Sequence, residues 1–160
     1  MKRIPIFLTL LILLSSTLSY ADGPDSCIIE PLDKGYYYET VIEELPDISY
    51  APRSISHPDA VASTKTGSKT TYCKNSSGTV MWYVKVTGVF TYGNGTATCT
   101  SSTVTAKSLS TSWKITSKSA SKTGNKANAT ATAKEYLNGV PVGSLTRTVM
   151  LTCSSNGTLS

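Results

Sequence analysis

Val80-Met81-Trp82-Tyr83-Val84-Lys85-Val86-Thr87-Gly88-Val89-Phe90-Thr91-Tyr92-Gly93-Asn94-Gly95 is the stretch that decides the fold. Val80, Trp82, Val84, Val86, Gly88, Phe90 and Tyr92 alternate with Met81, Tyr83, Lys85, Thr87 and Thr91. Successive side chains of a strand point to opposite faces, so this period of two predicts a long strand with one face buried. Gly88 marks a bulge or a bend within it. Asn94-Gly95 then predicts a tight hairpin, because such a turn needs positive φ at both central residues and Asn-Gly tolerates it. A two-residue loop sets Phe90 opposite Cys99 and Tyr92 opposite Ala97, which puts Cys99 on the buried face with Trp82.

Downstream the alternation continues. A strand over residues 111–119 turns Trp113 and Ile115 inward and Lys114 and Lys118 outward. Thr123-Gly124-Asn125 reverses the chain, and Ala127, Ala129, Ala131 and Ala133 then occupy one face of the next strand. Alanine is a poor strand former; here it serves as the small partner of Trp113 and Ile115, since large and small residues must interdigitate. Asn138-Gly139 opens a last hairpin, in which Leu145, Val149, Leu151 and Cys153 share one parity. A two-residue loop would set them against polar side chains, so an odd-length loop with a glycine bulge is expected. Arg147 falls on that apolar face without an evident reason. Ser and Thr exceed a third of the residues from Ser63 onward, but regular alternation and two tryptophans favour a fold over a mucin-like stalk. The expected fold class is therefore all-β: a small antiparallel β-sandwich of roughly five to seven strands, spanning residues 70–160.

Upstream the composition changes. Residues 22–59 hold nine acids against Lys34 and Arg53, a net −7, and five of the seven prolines. Residues 60–160 hold ten lysines and Arg147 against the single acid Glu135, a net +10. Repeated prolines without helical periodicity predict an extended acidic arm over residues 22–69, with Tyr36-Tyr37-Tyr38 as apolar surface by which it could dock. Before it, Lys2-Arg3, an apolar run over residues 4–14 and Ser19-Tyr20-Ala21 read as a signal peptide of residues 1–21, cut after Ala21. The run is shorter than the roughly 20 apolar residues a span needs. Cys27 is too far behind it for a lipid anchor, and the C-terminus carries no apolar sorting tail. The expected location is extracellular, released or loosely retained at the cell surface.

Outside the cytosol Cys27, Cys73, Cys99 and Cys153 read as disulfides, and four cysteines allow three pairings. Their wide spacing argues against a zinc site. His57, the only histidine, precedes Pro58 outside the strands, a poor place for an imidazole that nucleophilic catalysis must hold rigidly. Glycoside hydrolysis needs two carboxyl groups across one cleft, and the β region offers only Glu135. No nucleotide-binding glycine motif occurs in a strand-to-helix context. These absences predict no catalytic residue, no cofactor, no metal and no enzyme of the hydrolase or metal-dependent kind.

Cys99, Trp113 and Cys153 together resemble the cysteine–tryptophan–cysteine pattern of immunoglobulin-type sandwiches, in which a tryptophan packs on a disulfide between the sheets. Leu151 stands where the tyrosine of a tyrosine corner would be. The resemblance implies a Cys99–Cys153 bridge, which leaves Cys27 to Cys73. A second resemblance covers about half the chain. The Phe90–Gly95 hairpin, the Trp113 strand, the Gly124-Asn125-Lys126-Ala127 turn with its Ala-Thr repeat, and the ending Val149-Met150-Leu151-Thr152-Cys153-Ser154-Ser155-Asn156-Gly157 resemble a group of small secreted proteins of Gram-positive bacteria that form a domain-of-unknown-function family. It implies export and a bacterial source, and no substrate.

Charge then selects between functions. The first expectation is a non-catalytic binding module at the bacterial surface or in the medium, whose basic domain meets an anionic cell-wall polymer or a membrane surface. The alternative is a secreted effector, toxin or inhibitor in which the acidic arm masks the basic domain. Nucleic acid is not expected as a partner, since no stacking platform beside the lysines is evident. A hairpin about residues 123–125 would set Lys114 opposite Lys134 and Lys122 opposite Lys126, with Lys118 between, so that five lysines share one outward binding face. Like charges directly opposite each other are mildly destabilising, so their repetition points to an anionic partner, which could include the protein's own arm.

Overall fold

A computed structural model describes residues 27–46 and 62–160. The expected cleavage site at Ala21, and His57 and Pro58, lie outside the described residues. The chain forms eight strands: β1 (Ile28–Pro31), β2 (Tyr36–Leu45), β3 (Ser63–Asn75), β4 (Val80–Gly93), β5 (Thr96–Ser108), β6 (Trp113–Thr123), β7 (Lys126–Leu137) and β8 (Val140–Thr152). They make two antiparallel sheets, β1-β2-β3-β4-β5 and β6-β7-β8, and β4 packs across β7 and β8 while β5 lies over β6 and β7. This is an all-β sandwich.

The β4–β5 hairpin turns at Asn94-Gly95, both at positive φ, and pairs Phe90 with Cys99 and Tyr92 with Ala97. Trp82, Val84, Val86 and Phe90 are fully buried and face Ala127, Ala129, Ala131 and Ala133 of β7, which are equally buried. The alanine row leaves the depth that Trp82 and Phe90 fill, and each such side chain removed from water is worth about 1.5–3 kcal/mol. Gly88 lies directly opposite Gly67. A Cβ on Gly88 would stand 2.6 Å from the Phe90 ring and 2.9 Å from the Ala127 methyl, and Leu159 of the C-terminal turn covers Gly67. Two glycines thus open a hollow in the first sheet that Phe90 and Leu159 close.

In the last hairpin the loop has two residues, Leu137 pairing with Val140 around Asn138-Gly139. The odd residue expected in the loop is displaced into the ladder: Glu135 pairs with Gly143 and Tyr136 with Pro141, leaving Val142 as a bulge. That bulge sets Leu145, Val149 and Leu151 opposite Ala133, Ala129 and Ala127, so the apolar register is restored one step later than expected.

The segment read as an arm, residues 22–69, differs most from expectation. Residues 28–45 supply β1 and β2, and β3 begins at Ser63, so the strands start well before residue 70. Tyr38 pairs with Cys73, is buried, and stands edge-on to Trp82 with centroids 6.0 Å apart. Tyr36 meets Trp113 the same way at 5.6 Å. Two aromatic rings of one parity make β2 a core strand despite its acids, which are matched by lysines of β3 and β4: Glu39 with Lys74 at 2.7 Å, Glu43 with Lys85 at 3.2 Å and Glu44 with Lys65 at 3.1 Å. Arg147 also finds its reason here. From β8 it reaches across to the first sheet, 2.8 Å from Glu30 and 4.6 Å over the Tyr38 ring, and so ties β1 and β2 to the second sheet.

Candidate functional site

The outer face of β6-β7-β8 is a regular polar surface. Register places Ser119, Thr130 and Thr148 in one rank across the sheet, and Ser117, Thr132 and Thr146 in the next. Strands stand about 4.8 Å apart and same-face residues about 6.8 Å apart along each strand, so six hydroxyls form a flat grid. Thr130 and Thr148 share a hydrogen bond at 2.8 Å, and Thr132 and Thr146 one at 2.9 Å. These bonds hold the threonine rotamers in step. Lys114 and Lys134 lie directly opposite each other beyond one end of the grid, and Lys126 lies at the other end on the same parity of β7. Lys114 Nζ stands 4.9 Å over the Tyr136 ring, an arrangement that favours the cation electrostatically. The one acid of these three strands, Glu135, has the opposite parity.

The five-lysine face is corrected by this geometry. Ile115 pairs with Ala133 but Ser117 with Thr132, so Thr116 is an extra residue, and its hydroxyl donates to the Thr132 carbonyl at 3.2 Å. A bulge of one residue inverts the parity of everything beyond it. Lys118 therefore pairs with Ala131 and Lys122 with Ala127, not with Lys126. Both turn toward β5: Lys122 Nζ donates to the Thr100 carbonyl at 2.6 Å, and Lys118 borders a groove with Ala106 and Ile115. Lys114, Lys126 and Lys134 remain on the outer face. Among the described residues no acid of β1 or β2 pairs with any of the five, because Glu39, Glu43 and Glu44 are held by Lys74, Lys85 and Lys65 within the first sheet.

Glu135 instead points into a cavity of about 210 Å³ between the sheet ends, bordered by Leu32, Tyr36, Trp113, Gly143 and Leu145. The Tyr36 hydroxyl donates to Glu135 Oε1 at 2.7 Å, and this bond, with burial, raises the tyrosine pKa above 10.0. Glycine at 143 leaves room for the carboxylate, since a Cβ there would stand 3.3 Å from its second oxygen. A single carboxylate already accepting from Tyr36 is a structural tie between β2 and β7. Among the described residues no cluster of three or more His, Cys, Asp or Glu is placed to hold a metal ion.

All four cysteines carry free thiols. Cys27 and Cys73 cannot be bridged without rearrangement: Cys73 shares the inner face with Tyr38, whereas alternation along β1 puts the exposed Cys27 on the outer face, near Lys74. Cys99 and Cys153 are brought together. Cys99 donates its N–H to Gly124 O at 2.7 Å and Cys153 its N–H to Asn125 O at 3.0 Å, so one turn seats a buried cysteine from each sheet. Burial raises both thiol pKa values, and the Cys99 sulfur lies within electrostatic reach of Cys153. Trp113 is not on this pair. It packs on Trp82, with centroids 6.3 Å apart, at the opposite end of the sandwich, so the immunoglobulin-type arrangement of tryptophan on disulfide is absent.

The hydroxyl grid was not singled out from sequence. Its signal is the Thr-x-Thr spacing at Thr130/Thr132 and Thr146/Thr148 on adjacent strands, which reads as ordinary pleated surface until register aligns it. Comparison of the chain with family models, with curated proteins and with solved structures returns no match.

Proposed function

We propose that the protein is exported and acts as a non-catalytic binding module, with the outer face of β6-β7-β8 as its contact surface for an anionic polymer or surface outside the cell. The observation that carries this reading is one face: Lys114, Lys126 and Lys134 bracket two complete ranks of hydroxyls, with no acid among them. Lysines supply long-range attraction to phosphate or carboxylate groups, and fixed hydroxyls at regular spacing donate to and accept from a repeating, extended ligand. Lys114 and Lys134 repel each other across the ladder, and an anion between them relieves that cost. Export is supported by the leader-like residues 1–21. In an oxidising compartment Cys99 and Cys153 are the pair that a disulfide would join.

The test is binding to an isolated anionic wall polymer, with polyphosphate in parallel, at increasing ionic strength. Attraction at a surface fades as the Debye length falls to about 3 Å in molar salt. Binding is expected to be lost in high salt and weakened about tenfold or more by Lys114→Gln, Lys126→Gln and Lys134→Gln together. Lys118→Gln with Lys122→Gln has the smaller effect, because those side chains face β5. Binding indifferent to salt and to the triple change overturns the reading.

A further inference from the structure

The β7–β8 hairpin projects an apolar tip beside the lysine pair. Leu137, Val140 and Val142 are 64%, 61% and 46% exposed, around a turn whose Asn138 and Gly139 both have positive φ. Aliphatic side chains scattered singly on a surface are ordinary, but three gathered at one hairpin end, Leu137 and Val140 flanking the turn and Val142 just beyond, make a concentrated patch. The two strands set this patch at a convex point, and so small a tip offers far less than the roughly 800 Å² per partner of a stable protein interface. Immediately behind it are Lys114 and Lys134, and a notch of about 360 Å³ bordered by Thr111, Ser112, Lys114 and Tyr136. An aliphatic point, then a tyrosine, then two cations matches the layers of an anionic bilayer taken from the acyl boundary outward to water: acyl boundary, headgroup interface and phosphates.

We propose that this tip seats in the headgroup layer of an anionic phospholipid bilayer, with Leu137 and Val140 at the acyl boundary and Lys114 and Lys134 at the level of the lipid phosphates. The inference rests on the reading that this end of the outer face meets an anionic surface, and it selects a lipid bilayer as that surface. Lysine attraction and aliphatic insertion act together: the first depends on salt and on lipid charge, the second on the exposed side chains of the turn.

The protein recovered after export is sedimented with vesicles of phosphatidylglycerol mixed into phosphatidylcholine, and with vesicles of phosphatidylcholine alone. Binding to polyphosphate beads is measured beside them. The expected result is sedimentation with the anionic vesicles and little with the neutral ones. Leu137→Ser with Val140→Ser, both exposed and outside the core, is expected to weaken vesicle binding about tenfold or more while leaving polyphosphate binding and the circular dichroism unchanged. Lys114→Gln with Lys134→Gln is expected to weaken both. Should the protein bind polyphosphate but anionic vesicles no better than neutral ones, or should the serine changes leave vesicle binding intact, the membrane inference fails and the broader reading stands. Failure to bind either support overturns both.

Discussion

Gly88→Ala tests how the two sheets lock together. The added methyl would stand 2.6 and 2.7 Å from two atoms of the Phe90 ring and 2.9 Å from the Ala127 Cβ. Phe90 and Ala127 are both fully buried, so neither neighbour is a flexible chain end that can swing away. In a strand interior alanine would otherwise be favoured over glycine by about 0.5–1 kcal/mol, whereas overpacking a filled core costs about 1–3 kcal/mol. The clash wins, with a net loss of about 1–2 kcal/mol. In a domain of this size that lowers Tm by about 3–8 °C, read by thermal unfolding followed by tryptophan fluorescence. Phe90→Leu removes the ring edge that the methyl meets, so the double variant is expected to be more stable than the summed single effects by about 1 kcal/mol. A Gly88→Ala protein as stable as the parent, or strictly additive behaviour with Phe90→Leu, would refute the packing of Phe90 through the glycine gap onto β7.

Deleting residues 22–45 is expected to abolish cooperative unfolding and to shift tryptophan emission to the red, because Tyr36 and Tyr38 cover Trp113 and Trp82; a truncated protein of unchanged Tm with stronger binding would instead support a detachable mask. Burial pushes the Cys73 thiol up to about 11 from 9.0, against a smaller pull from the Trp82 side chain. A raised folded pKa contributes stability that is complete below pH 9 and lost as pH rises toward 11. Cys73 should therefore contribute a loss of about 1 kcal/mol between pH 9 and 10 to the urea midpoints, a share that is missing in Cys73→Ala while the losses from the likewise raised Cys99 and Cys153 thiols persist. Under oxidising conditions, the Cys99 and Cys153 thiols are expected to give up two protons and two electrons to a disulfide oxidant and join, while Cys73 stays reduced. Peptide maps without reduction check this, and free thiols at both Cys99 and Cys153 would count against it.

Local pattern made much of the sandwich legible. Phe90 faces Cys99 because Asn94-Gly95 admits only one register of its hairpin, and the alanine row of β7 is buried because Trp82, Phe90 and Trp113 need small partners. Pairing with residues distant in sequence leaves no such local signal. Glu39, Glu43 and Glu44 look like a solvated acidic run until lysines 35, 42 and 21 residues away are placed beside them. The Thr116 bulge is hard to read locally, since beyond it one face of β6 carries Ser117, Ser119, Ser121 and Thr123 and the other Lys118, Ala120 and Lys122, with no large apolar side chain to mark the inner side, and with it went the parity of Lys118 and Lys122. Arg147, puzzling on an apolar face, becomes intelligible only once Glu30 and Tyr38 are known to lie opposite.

Whether the proposed binding belongs to the outer face of β6-β7-β8 is read from amide resonances followed during titration with polyphosphate. The shifted amides are expected to cluster at Lys114, Thr130, Thr132, Lys134, Thr146 and Thr148, with Lys126 at the far end of the same face. Shifts gathered instead around Lys74 and Lys85 on the first sheet, or around Lys118 and Lys122 beside β5, would contradict it.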